Sequence, residues 1–143
     1  MPAGTEDHFD LQRFVDAQHG LYDRAREELA TGRKRGHWMW FIFPQVEGLG
    51  SSVMSRRFAI ASREEAIAYL THPLLGRRLR ECTQLVNGIE GHSIHEIFGS
   101  PDDMKFQSSM TLFSEVTGDN THFIVALQKY FAGKPDAATL ARL

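Results

Sequence analysis

His37-Trp38-Met39-Trp40-Phe41-Ile42-Phe43-Pro44-Gln45 is the stretch on which the fold of this 143-residue chain turns. Trp38 to Phe43 is apolar without a break. Over so short a run, periodicity does not separate a buried helix from a buried strand. The surroundings decide it. No neighbouring segment reads as a pairing strand, so a short helix ended by Pro44 is expected. The run is also far too short to cross a bilayer, which takes roughly 20 apolar residues.

Upstream, Leu11, Phe14, Val15, Tyr22, Ala25 and Leu29 fall on one face at helical spacing. They predict a helix over about 10–30, capped by Asp10 and stopped at Gly32. Gly48-Leu49-Gly50-Ser51-Ser52 is a loop, and Phe58-Ala59-Ile60 reads as a short extended piece. Ser62 with Glu65, and Ser93 with Glu96, have the spacing of capping boxes and open two short helices. Between them, His72-Pro73 separates the first from a helix running to about Val86. Ser100-Pro101-Asp102-Asp103 predicts a helix start, with acids at the positive end of the dipole, and that helix runs to about Val116. A further helix spans about 121–132 and stops at Gly133-Lys134-Pro135, and a short one follows Asp136. The fold class is all-α: a single compact domain of six or more helices over 10–143, after a flexible segment 1–9.

Composition fits this picture. The hydrophobic fraction is 42%, the charged fraction 24% and the net charge −2, as in an ordinary globular domain. A nucleic-acid partner is not expected, because such binders carry a basic excess. The one cysteine, Cys82, permits no internal disulfide and suits a reducing compartment. Without a basic stretch leading into an apolar core at the N-terminus, the cytoplasm is the expected location. No cofactor is implied. No metal site is expected either: His92 and His95 share a helical spacing but lack a third ligand nearby.

Family likeness rests on Gly36-His37-Trp38-Met39-Trp40-Phe41-Ile42-Phe43-Pro44-Gln45, Gly48-Leu49-Gly50, His72-Pro73-Leu74-Leu75-Gly76-Arg77-Arg78-Leu79, Asp102-Asp103-Met104-Lys105 and Ser108-Ser109-Met110-Thr111-Leu112-Phe113. With these motifs the sequence resembles the bacterial family catalogued as domain of unknown function number 1810. The resemblance implies a compact multi-helical fold and no activity. A calpastatin label carried by some members describes a disordered inhibitor, which this composition does not match.

Polar residues on apolar helix faces are where function is sought, because a buried polar group costs free energy unless it is paired. Gln18 lies amid Leu11, Phe14, Tyr22 and Leu29, and its amide suits either a ligand or a backbone partner. Arg78 shares a face with Leu74, Cys82 and Leu85. It is suited to gripping a carboxylate or phosphate, or to an internal pair with Asp102 or Asp103. Lys105 and Ser109 are one helical turn apart, a spacing that fits a base–nucleophile pair or plain packing. His37 opens the aromatic run as an acid–base candidate, and Trp40 offers a face on which a ring can stack. Together, Gln18, His37, Trp40, Arg78, Lys105 and Ser109 suggest a pocket near the aromatic segment for a small anionic, ring-containing metabolite. The competing expectation is a helical interaction or structural domain, for which an exposed apolar patch is required.

Overall fold

The computed structural model describes residues 7–143. Ten helices form among them: α1 (Gln12–Gln18), α2 (Tyr22–Thr31), α3 (Met39–Ile42), α4 (Val53–Arg57), α5 (Arg63–Thr71), α6 (Leu75–Asn87), α7 (Ile94–Phe98), α8 (Asp102–Glu115), α9 (Thr121–Phe131) and α10 (Ala137–Ala141). The all-α expectation therefore holds. The aromatic segment is the short helix α3. The piece at 58–60 contributes one isolated parallel bridge, Val46 to Ile60.

Helix α8 lies at the centre. From Ser108 to Ser114 every residue is buried, as is Phe106, so this helix has no solvent face over two turns. Helices α5, α7, α9 and α10 pack around it, and α6 packs against α2, α5 and α9. Phe43 joins the aromatic segment to this axis, with its ring edge-on to Phe106 at 5.0 Å and to Phe98 at 5.9 Å. Trp38, 1% exposed, packs against Phe43 and Phe98.

The first helical stretch differs from expectation. It is two helices, because the chain turns at His19 to Leu21 with Gly20 at φ +76°. A left-handed φ of this kind suits glycine, and it ends α1 just as Gln18 completes its turn. Asp10 is not the cap. Asp7 accepts from the N–H groups of Leu11 and Gln12 at 2.8 and 2.9 Å, and Asp10 itself has φ +52°. Of the segment expected to be flexible, residues 1–6 lie outside the described residues.

The two capping boxes also part ways. Ser93 and Glu96 form the complete reciprocal box. Ser62 accepts from Glu65 N–H, but the Glu65 carboxylate turns instead to Ala61 N–H at 2.9 Å and to Arg13 Nη2 at 2.8 Å. One carboxylate oxygen thus caps the residue before Ser62 while the other takes a tertiary partner. His72 caps α6 through Nδ1, accepting from Leu74 and Leu75 N–H. Proline at 101 precedes α8 without any side-chain cap, so Ser100 does not serve as one.

Candidate functional site

The six polar and aromatic residues singled out above fall in three separate places. Gln18 and Arg78 meet in the first. Gln18, 1% exposed, donates through its amide nitrogen to the Phe41 carbonyl at 2.7 Å and lies 3.4 Å from the Tyr69 hydroxyl. Phe41 is near the end of a four-residue helix, where carbonyls lack intrahelical partners, so the amide closes one of them. The amide oxygen of Gln18 then accepts from Arg78 Nη1 at 3.1 Å.

Arg78 stands early in α6, with its guanidinium carbon 4.2 Å from the centroid of the Tyr22 ring. Its Nε is buried without an acceptor. Among the described residues no carboxylate comes within ion-pair distance of it. The pair with Asp102 or Asp103 does not form, because both acids are engaged elsewhere. Asp102 holds Lys34 at 2.8 Å and Lys105 at 3.6 Å, and Asp103 lies 3.2 Å from His95.

Gln18 and Arg78 line a cleft of about 310 Å³ between the α1–α2 turn and the start of α6. Val15 and Leu74 supply apolar wall, and His19 and Asp23 stand at its edge. Helix α2 opens beside it with no side-chain cap, so its first-turn N–H groups lack a side-chain acceptor. His19 shows no partner in the sequence, and Asp23 falls off the apolar face of a helix continuous over 10–30. Gly20 was the available signal, since glycine is the residue that permits a turn there.

Beneath the cleft, the Tyr22 hydroxyl is buried with no nitrogen or oxygen partner and lies against the Cys82 thiol. Burial, and then the neighbouring thiol, drive its pKa far above the ordinary phenol value. Burial likewise pushes the Cys82 thiol up to about 12. The nucleophilic thiolate is thus absent at neutral pH, and Cys82 acts as packing.

Trp40, Lys105 and Ser109 belong to the second place. Lys105 Nζ lies 5.2 Å from the Trp40 ring centroid, and Lys34 Nζ lies 5.1 Å from that of Trp38. Asp102 holds both lysines, so two cations cover two indoles around one shared carboxylate. Ser109 is fully buried, its hydroxyl has no partner, and Lys105 does not bond to it. The contact that a base–nucleophile pair requires is missing. The Trp40 indole N–H is also buried and unpaired. His37 occupies the third place, exposed and without a hydrogen bond or ion pair to the described residues.

A wider and more open cleft of about 640 Å³ lies between α2 and the turn at Arg35-Gly36. Its charges alternate, Arg24 and Arg35 with Glu27 and Glu28. Glu28 is already engaged through one oxygen, its Oε1 accepting from Arg35 N–H at 2.7 Å, Gly36 N–H at 2.9 Å and Trp38 Nε1 at 2.9 Å. Burial raises the pKa of this carboxyl. The three hydrogen bonds and the nearby Lys34 more than offset that, leaving it below its ordinary value. Glu28 is therefore a fastener for the entry to the aromatic segment. Its contribution to stability is present above the unfolded carboxyl pKa and is lost as pH falls through the lower, folded one. Thermal unfolding followed from pH 7 to pH 3 is expected to show a smaller acid-induced drop for Glu28→Gln than for the parent chain.

The Arg142 side chain packs so closely over Gly48 that a Cβ there would overlap its guanidinium. Exposed large apolar residues are Val53, Ile67, Met104, Val125 and Leu140, each on a different helix, and the aromatic segment is largely buried. No helix of the described residues is long and apolar enough to cross a membrane.

Comparisons with known proteins agree with this fold. A family model described as "Protein of unknown function (DUF1810)" matches residues 8–143. The crystal structure of the conserved hypothetical protein Rv1873 from Mycobacterium tuberculosis is similar over 96% of this chain and 98% of that one. The two share 58% sequence identity, with a TM-score of 0.95. No curated protein matches.

Proposed function

The chain belongs to the DUF1810 family of proteins of unknown function, and from that premise we propose that it binds a small molecule carrying a carboxylate or phosphate group in the cleft headed by Arg78. One observation carries the proposal: a guanidinium in a cleft, held in place by Gln18 and Tyr22, with no carboxylate of the described residues within ion-pair distance of it. Arginine is almost never fully buried unless paired, and here one nitrogen of the guanidinium, Nε, is buried with no acceptor. Here its support is built while its counter-charge is left open. A planar guanidinium offers paired N–H donors to a carboxylate or phosphate, a strong charge-assisted contact.

The proposal is narrower than the six-residue pocket suggested by sequence. Neither tryptophan lines this cleft, so nothing in it specifies an aromatic ring, and Lys105, Ser109 and His37 take no part. Binding rather than a reaction is proposed, because the cleft holds no activated nucleophile: the nearby thiol is masked.

Thermal shift and calorimetric titration with acetate, benzoate, inorganic phosphate and phenyl phosphate, at constant ionic strength, test it. At least one is expected to raise the melting temperature, as any ligand bound by the native state alone must. The rise is expected to vanish in Arg78→Gln and to shrink in Arg78→Lys, which keeps the charge but loses the fork. Equal responses in the parent chain and Arg78→Gln, or none in either, would sink the proposal.

A further inference from the structure

We infer that the ligand of the Arg78 cleft is a zwitterion of the α-amino acid class, with its carboxylate on Arg78 and its ammonium on Asp23; this rests on the binding proposal above and deepens it. Both residues line the one small cleft, yet they are not paired with each other. Arg78 is directed instead to Gln18 and to the face of Tyr22. Asp23 makes no ion pair with any described residue. Opposite charges at one cleft that fail to neutralise one another leave two complementary half-sites. A molecule with both charges satisfies both at once.

The charge balance favours the same class. Arg78 and Asp23 bring opposite charges to the one cleft, so Asp23 offsets part of the attraction that Arg78 offers an anion. A simple anion gains from Arg78 and is opposed by Asp23. A zwitterion gains at each end. The size is also suitable: about 310 Å³ is at the lower bound of ordinary ligand pockets, which suits a metabolite of amino-acid size. Val15 and Leu74 are half-buried apolar wall, so an aliphatic side chain such as that of leucine would have surface to cover. The inward-facing parts are already fixed. Gln18 is buried and bonded on both ends of its amide, and Tyr22 is held in the core beneath the guanidinium.

The test uses the full-length protein. The common L-α-amino acids are screened singly by thermal shift. Each that responds is then titrated calorimetrically beside its desamino acid and its decarboxylated amine; for L-leucine these are 4-methylpentanoate and 3-methylbutylamine. The amino acid is expected to bind about fivefold or more tightly than the desamino acid, the size of one partly exposed ion pair. That advantage should disappear in Asp23→Asn, while the desamino acid binds Asp23→Asn at least as well as it binds the parent. Binding of both should be lost in Arg78→Gln. If the desamino acid binds as tightly as the amino acid, or Asp23→Asn leaves the advantage intact, the zwitterion inference fails and the Arg78 anion reading stands. If no amino acid binds but acetate or phosphate does, the zwitterion inference fails in the same way. If Arg78→Gln changes nothing for any of them, both fail.

Discussion

Gly76→Ala is expected to destabilise the protein by about 3 kcal/mol or more, lowering the melting temperature by about 10 °C. Gly76 is buried in the first turn of α6, directly against the last turn of α5. A Cβ built on it would overlap the Leu70 carbonyl oxygen and lie 2.8 Å from the carbonyl carbon. Both obstructions are backbone, so no side-chain rotation relieves them. The helices must separate, and the close packing of interiors makes separation costly. Gly20→Ala is the control. It has open space around it but φ +76°, so only the left-handed backbone penalty of about 1–2 kcal/mol applies. Urea and thermal unfolding of the two variants side by side measure the difference. A Gly76→Ala protein no less stable than Gly20→Ala would mean that the α5–α6 approach is not the constraint described. Because Arg78 follows Gly76 within the same turn, the Arg78 cleft should lose ligand binding along with stability.

Glu65→Ala is expected to cost about 3–5 kcal/mol. Glu65 is a 2.8 Å partner of Arg13, and the two side chains are 4% and 16% exposed. Arg13 is committed to this spot. Its guanidinium also donates to the Arg57 and Ala59 carbonyls, both at 2.9 Å, and lies 4.4 Å from the Phe14 ring centroid. Removing the carboxylate leaves a largely buried cation unpaired and also strips the acceptor from Ala61 N–H. Replacing both partners, as in Arg13→Leu with Glu65→Leu, should cost less than Glu65→Ala alone, since no uncompensated charge remains. A double-mutant cycle by urea denaturation reads this directly. A double variant as unstable as the sum of the single ones would show that the two residues act independently.

Much of the fold is legible in local chemistry. Ser93 with Glu96, Asp136 before α10, Gly32 after α2 and His72 before α6 each terminate a helix by contacts within a few residues, and each acts as its sequence suggests. The departures share one cause. Glu65 has the spacing of a capping box, yet its carboxylate takes Ala61 N–H and Arg13 of α1 in place of Ser62 N–H. The helix expected over 10–30 breaks at Gly20, whose left-handed φ ends α1, so that one helix buries Phe14 and Gln18 and the next buries Tyr22 and Leu29. Helix α8 shows too little periodicity for its place in the core to be read from one face, since nearly all its later residues are inside.

The aromatic segment by itself determined where the core lies, since six consecutive apolar residues have nowhere stable to go except inside, and the helical signals on either side of it determined the all-α class. The polar residues stand out by the same logic, as groups whose burial demands a partner. Which partner each obtained was decided only by the tertiary structure. Gln18 and Arg78 are 60 positions apart, and their meeting depends on how α1 and α6 pack. Lys105 and Ser109 are equally well placed for chemistry by spacing, but Asp102 and Lys34 close that side over the indoles. Hydrophobic burial is a property of each segment and is written along the chain. Charge pairing is a property of distances between segments, and those distances exist only once the helices are packed.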